Sequence, residues 1–110
     1  MTSSRLAGAI GERMIEITHQ NNKITITGHA GYAEHGKDIV CASISALTQV
    51  LIASVEQLTD DKLKCDIRAG NAVILYENLS AHAQVLVDSF FVGVRMIANN
   101  YPKHVNLTEH

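Results

Sequence analysis

The chain has 110 residues, of which 46% are hydrophobic and 18% charged, so we expect one domain with a packed core rather than disorder. The net charge is −2 and no basic run occurs, which disfavours nucleic acid as the main partner, because such binding depends on neutralising phosphates. No charge-free apolar run reaches about 18 residues and no secretory signal is visible, so we expect no membrane span and a cytoplasmic location.

Residues 1–13 look separate from the rest of the chain. They are mostly small and polar and include glycines, whereas Met14 opens the first convincing strand pattern. We interpret 1–13 as a leader or extension, either native or left by cloning, and assign residues 14–110 to a single domain.

A β-hairpin is predicted next. Apolar residues alternate with polar ones from Met14 to about His29, and residues 20–23 (Gln-Asn-Asn-Lys) interrupt them with a turn signal. Residues 30–37 contain Gly31 and Gly36 and show no periodicity, which indicates a mobile loop.

A long amphipathic helix follows the loop. Asp38 is of a residue type preferred at the N-cap, and apolar residues recur at spacings of three and four from Val40 to Leu58. We therefore expect one face of this helix to lie in the core.

The second half repeats the same plan. Residues 63–69 alternate, Gly70-Asn71 is a two-residue turn signal, and residues 73–76 form the returning strand. Ser80 can cap a second amphipathic helix, and residues 104–107 are a further candidate edge strand. The order ββαββα predicts a two-layer α+β domain, with a four-stranded antiparallel sheet covered by two helices.

The chemistry of the chain centres on Cys41, which falls in the first turn of the long helix if Asp38 is its N-cap. Free backbone N–H groups and the helix dipole favour a thiolate there, which is the reactive form of cysteine, and they could also stabilise an oxyanion. His29, at the end of the preceding strand, is the candidate base for this nucleophile. The spacing alone does not separate this interpretation from that of an inert cysteine.

Several alternatives remain open at this point. His35 is a rival base, ranked behind His29, and Asp38 either caps the helix or orients His29. A zinc site could use His29, His35, Asp38 and Cys41, although their spacing matches no common zinc pattern. A non-catalytic ribosome- or RNA-associated module on the same scaffold is the other alternative.

We predict no catalytic or metal-binding role for the second cysteine or for the other histidines. Two cysteines are too few for a disulfide framework, so both thiols are expected to be free. Cys65 alternates in phase with Leu63 and Ile67 and is predicted to be a core thiol. The other histidines are expected at the surface or on helix flanks: His19, His82, His104 and His110.

Four stretches of the chain resemble the signature of the ribosomal-processing cysteine protease (Prp) family. They are residues 28–30 (Gly-His-Ala), 36–42 (Gly-Lys-Asp-Ile-Val-Cys-Ala), 45–48 (Ser-Ala-Leu-Thr) and 97–105 (Ile-Ala-Asn-Asn-Tyr-Pro-Lys-His-Val). The resemblance runs from Met14 to about Leu107, so it covers nearly the whole chain after the leader.

The resemblance implies a bacterial, homodimeric cysteine endopeptidase that takes part in ribosome biogenesis. It implies cleavage after a Phe pair, which removes the N-terminal extension from the precursor of large-subunit ribosomal protein twenty-seven. It also implies that Cys41 is the nucleophile and His29 the catalytic histidine. The loop between them would shape the substrate site through Gly31, Tyr32, Glu34, His35 and Gly36. We expect no metal and no cofactor.

Overall fold

The computed structural model describes residues 13–34 and 36–109. Most of the expected leader, residues 1–12, therefore lies outside the described residues. The elements in chain order are β1 (Ile15–Gln20), β2 (Lys23–Thr27), α1 (Ile39–Leu58), β3 (Lys64–Arg68), β4 (Asn71–Leu75), α2 (Ala81–Asn100) and β5 (Val105–Glu109).

The strands form one mixed sheet of five, in the order β3-β4-β2-β1-β5. The pairs β1–β2, β2–β4 and β3–β4 are antiparallel, whereas β1 and β5 are parallel. The α+β class with two helices is confirmed, but the prediction of four strands, all antiparallel, is wrong. The candidate edge strand over residues 104–107 is present as β5 and adds a fifth, parallel strand. Helix α2 returns the chain to the end of the sheet where β1 starts, and Ile15 N–H donates to the His104 carbonyl at 2.9 Å.

The core lies between the two helices and one face of the sheet, which we call the inner face. Alternate strand residues point into it, as the period-two pattern predicts: Ile15, Ile17, Ile24, Ile26, Ala72, Ile74 and Val105. The helices contribute Val40, Ile44, Leu51 and Val55 from α1 and Val87, Phe90, Phe91 and Val94 from α2. All these residues belong to one hydrophobic cluster, so the described residues share a single core.

Both helices are long and apolar enough to cross a membrane by length and composition alone. Their mean hydropathies over 18 residues are 1.8 for Ile39–Leu58 and 1.2 for Ala81–Asn100. Core helices of other proteins pass the same test, so the expectation of no membrane span stays a prediction. The buried stripe of each helix belongs to the same hydrophobic cluster as the buried strand residues.

The prediction of a core position for Cys65 is wrong. Cys65 pairs with buried Ile74 and Ile67 pairs with buried Ala72, so both residues point towards the inner face as their alternation indicated. Strand β3 is the edge of the sheet, however, and Cys65 is exposed there while Ile67 is 55% exposed. Partial burial nevertheless raises the pKa of the Cys65 thiol, which disfavours its reactive thiolate form.

Candidate active site

The first turn of α1 carries Cys41 at its third residue. Asp38 is the N-cap of this helix, and its Oδ1 accepts hydrogen bonds from Val40 N–H at 3.0 Å and Cys41 N–H at 2.9 Å. Asp38 is itself half-buried and lies at the end of the loop. The carboxylate therefore fixes the turn in which the thiol lies.

The second oxygen of Asp38 binds the loop before the helix. Oδ2 accepts from Tyr32 N–H at 3.0 Å and from Ala33 N–H at 3.4 Å. Burial alone would raise the pKa of Asp38, but the N–H donors of Cys41, Ala33, Tyr32 and Val40 together hold it below its ordinary value. Both oxygens serve backbone donors, and within the described residues neither bonds His29.

The sulfur of Cys41 is half-buried and has a defined hydrogen-bond partner. Ala30 N–H donates to Sγ at 3.2 Å. Ala30 is fully buried, and its carbonyl oxygen lies 2.8 Å from Nδ1 of His104, the residue just before β5. His104 was expected at the surface or on a helix flank, and no local pattern could have linked it to Ala30, which lies 74 positions away.

The imidazole of His29 lies against the turn that joins β3 to β4. This turn consists of Ala69 and Gly70, one position earlier than predicted, because Arg68 pairs with Asn71. Gly70 has a φ of +72°, and a Cβ built on it would lie 2.9 Å from Nε2 of His29. Gly28 N–H also donates to the Gly70 carbonyl at 2.9 Å, so the turn forms one wall beside the exposed His29 ring.

Two open cavities adjoin the thiol. The first, of about 250 Å³, runs between α1 and the sheet, and its lining includes Ile26, Ile44, Ile52 and Ile67. The second, of about 380 Å³, lies on the loop side; its lining includes Arg13, Gly31, Gly36 and Asp38.

The two cavities share three lining residues, His29, Cys41 and Ser45. The imidazole of His29 and the thiol of Cys41 thus border the same space, although no hydrogen bond joins them in the part of the chain described. Catalytic hydrogen bonds are often long in ligand-free structures and tighten when substrate binds. The candidate nucleophile Cys41 and the candidate base His29 thus lie beside the same two cavities.

Comparison with known proteins identifies the family. The sequence model of the family described as "Cysteine protease Prp" matches residues 13–106. The chain belongs to the Prp family of cysteine proteases. The resemblance noted from the sequence motifs is thereby confirmed, as is the assignment to an enzyme class.

Curated relatives and solved structures agree with this assignment. The ribosomal processing cysteine protease Prp of Mycoplasma genitalium is 35% identical over 100 residues, covering 87% of this chain and 96% of the relative. Structures of the ribosomal processing protease Prp from Staphylococcus aureus share the fold. The complex with a covalently linked product peptide gives a TM-score of 0.80 at 23% identity, and the complex with a substrate peptide gives 0.75 at 22%. Each match covers 89% of this chain and 99% of the other.

Only some of the loop residues expected to shape the substrate site of this Prp protein line the loop-side cavity. Gly31 and Gly36 line the loop-side cavity. Tyr32 packs edge-on against Tyr101 and His104, with ring centroids 5.3 and 5.4 Å apart, and Glu34 pairs with exposed Lys37 at 3.2 Å. His35 lies outside the described residues, so its role as rival base stays a prediction.

The zinc alternative gains no support from the part of the chain that the structure describes. No group of three histidine, cysteine or acidic side chains within it is arranged to hold a metal. Both Asp38 oxygens already accept backbone hydrogen bonds, and His35, a proposed ligand, is not among the described residues.

Proposed function

We propose that this protein removes the N-terminal extension of large-subunit ribosomal protein twenty-seven, cutting after a Phe pair, as a homodimer in the cytoplasm. The Prp relatives are named ribosomal processing proteases, and the two Staphylococcus aureus structures hold a substrate peptide and a covalently linked product peptide. The apolar cavity beside Cys41 has room for an aromatic side chain.

The observation that carries this proposal is the joint position of Cys41 and His29 between the two cavities. A peptide lying along both cavities would present its scissile carbonyl to the sulfur and its leaving nitrogen to the imidazole. Cavities on both sides of the thiol suit an endopeptidase, which must accommodate residues on either side of the cut.

The reaction proceeds by acyl transfer in two steps. The Cys41 thiolate attacks the carbonyl carbon, and protonated His29 gives its proton to the leaving amine as the C–N bond breaks. Neutral His29 then takes a proton from a water molecule that attacks the thioester. The C–S bond breaks, the peptide acid leaves, and the thiolate and imidazolium are restored.

Three of the helix N–H groups expected to stabilise an oxyanion have acceptors within the protein. Val40 N–H and Cys41 N–H already donate to the Asp38 side chain, and Ala42 N–H donates to the Asp38 carbonyl at 3.0 Å. The N–H of Ala30 instead points at Sγ.

The decisive experiment uses a peptide that contains the extension with its Phe pair, with the cleavage products identified by mass. Cys41→Ala should abolish cleavage, and His29→Ala should lower kcat by about 100- to 10,000-fold, because general acid–base catalysis is lost. Cys65→Ala and His82→Ala are matched controls on exposed thiol and imidazole positions, and both should cut normally.

Full cleavage by folded Cys41→Ala would contradict the proposed nucleophile. A larger loss in His35→Ala than in His29→Ala would move the role of base to His35. Circular dichroism and melting temperature establish that each variant is folded.

A further inference from the structure

Ala30 is bonded on both sides by side chains that are distant in sequence. Its N–H donates to Cys41 Sγ at 3.2 Å and its carbonyl accepts from His104 Nδ1 at 2.8 Å. Because a carbonyl oxygen only accepts, Nδ1 of His104 carries the hydrogen in this contact. The two bonded groups belong to successive peptide units, so together they fix the position of Ala30.

The position of Ala30 matters for both reacting groups. Its N–H faces the sulfur of Cys41, and its backbone continues directly from His29. Ala30 is fully buried, so its carbonyl would lose its hydrogen-bond partner if the His104 donor were removed. The segment would then shift to find another partner, and it would carry the His29 backbone with it.

His104 is well anchored for this purpose. Its N–H donates to the Tyr101 carbonyl at 2.9 Å, and its own carbonyl accepts from Ile15 N–H at 2.9 Å. Its half-buried ring packs edge-on against Tyr32. His104 lines neither of the two cavities, so direct contact with the substrate does not account for its placement.

We propose that His104 is a positioning residue for the protease site, which holds Ala30 so that the Ala30 N–H meets Cys41 and the adjoining His29 faces it. The inference rests on the proposed roles of Cys41 and His29. The essential property is a hydrogen-bond donor at the place of Nδ1. Neither the basicity nor the charge of the imidazole is needed.

The test compares two substitutions of nearly equal size. His104→Asn keeps an N–H donor close to the place of Nδ1, whereas His104→Asp presents oxygens to the Ala30 carbonyl. His104→Asp should lower kcat by about 10- to 100-fold, because the reacting groups are misplaced. His104→Asn should retain most of the wild-type kcat. His82→Asp, on an exposed helix position, is the matched control for the added charge and should cut normally.

A second readout follows the thiol directly. In a Cys65→Ser background, alkylation of the remaining thiol by iodoacetamide at pH 7 should be slowed by His104→Asp and nearly unchanged by His104→Asn. His104→Leu, which has neither a donor nor a charge, should be as defective as His104→Asp. It replaces His104→Asp in the comparison if the aspartate variant fails to fold.

Equal kcat and equal alkylation rates in the wild type, His104→Asn and His104→Leu would overturn the inference. A folded His104→Asn as defective as His104→Leu would overturn the donor role. In either case Cys41→Ala would still be inactive, so the proposed nucleophile would stand. Failure of the proposed function is recognised separately, by cleavage of the peptide by Cys41→Ala.

Discussion

At the scale of single residues, one carboxylate joins the loop to α1. Oδ1 of Asp38 caps the turn that carries Cys41, and Oδ2 holds the backbone of Tyr32 and Ala33. Substitution of an N-cap aspartate by alanine costs about 1 kcal/mol, so Asp38→Ala should loosen the helix start as well as the loop. This dual contact supports a capping and clamping role for Asp38 rather than a bond to His29.

The charge of Asp38 should contribute to stability only above acid pH. Backbone donors outweigh burial and lower the pKa of Asp38 in the folded state, so its contribution is fully present above the unfolded-state value of about 3.9. The contribution is then lost as the pH falls through the lower folded-state pKa. We therefore expect the wild type to be more stable than Asp38→Asn at pH 7, and the difference to disappear by about pH 2.

Urea denaturation of both proteins across this pH range measures the difference in free energy of unfolding. Asp61, whose pKa is lowered by its hydrogen bonds from Ser80, is common to both proteins and cancels in the comparison. A difference that stays constant from pH 7 to pH 2 would show that the charge of Asp38 is not involved.

Sequence reasoning succeeds at this scale where the signal is local. An Asp three positions before a cysteine, at the start of an apolar stripe, was enough to place Cys41 in a first helical turn. The partners of His104 and His19 could not be found in this way. His104 binds Ala30 across 74 positions, and His19 binds Tyr76 across 57 while stacking on Phe91. Such contacts depend on how strands and helices pack, which no short motif encodes.

At the scale of elements, the β3–β4 hairpin does more than extend the sheet. Its turn, Ala69-Gly70, packs against the imidazole of His29, and the absence of a side chain on Gly70 leaves room for the ring. The sequence predicted the hairpin but placed the turn one residue late. The register of the β3–β4 pair fixes the position of the turn, and this register could not be predicted from the residue types in the turn.

Gly70→Ala should impair catalysis more than it impairs folding. The added Cβ would lie 2.9 Å from His29 Nε2, so the ring must move, and we expect kcat to fall by about 10- to 100-fold. The positive φ of +72° adds a backbone cost of about 1–2 kcal/mol. Cleavage rates and urea denaturation separate these two effects.

Asn22→Ala is the matched control for the backbone cost. Asn22 has a φ of 62° in the turn between β1 and β2, at the end of β2 opposite to His29. This variant should lose stability while keeping its kcat. Equal kcat values for Gly70→Ala and Asn22→Ala would show that the contact with His29 is unimportant.

At the scale of the whole molecule, the periodicity of the sequence predicted the layered α+β architecture. It did not predict how the two edge strands of the sheet pair or how far the helices cover them. The tail pairs with β1 in parallel because α2 reverses the chain, and β3 extends beyond the cover of the helices. The inner-face residues Cys65 and Ile67 are therefore exposed at one edge. An apolar edge next to the active-site cavity is a surface that association could cover.

The proposed homodimer should be visible in solution. Light scattering coupled to size exclusion should give a mass twice that of the 12.0 kDa chain at the concentrations used for cleavage. A single species with the monomer mass that still cuts the peptide at full rate would contradict a dimeric protease. Dilution of the sample until the dimer dissociates would show whether activity follows association.

The placement of His104 just before the last strand has a consequence for when proteolysis begins. Strand β5 is the final element of the described chain, and it pairs with β1, the first. Ribosomal synthesis starts at the N-terminus, so Cys41 and His29 are made well before His104 and β5. On the proposed role of His104, a chain that has not yet paired β5 with β1 carries the thiol but lacks the contact that holds Ala30, so we expect it to be inactive until that pairing forms.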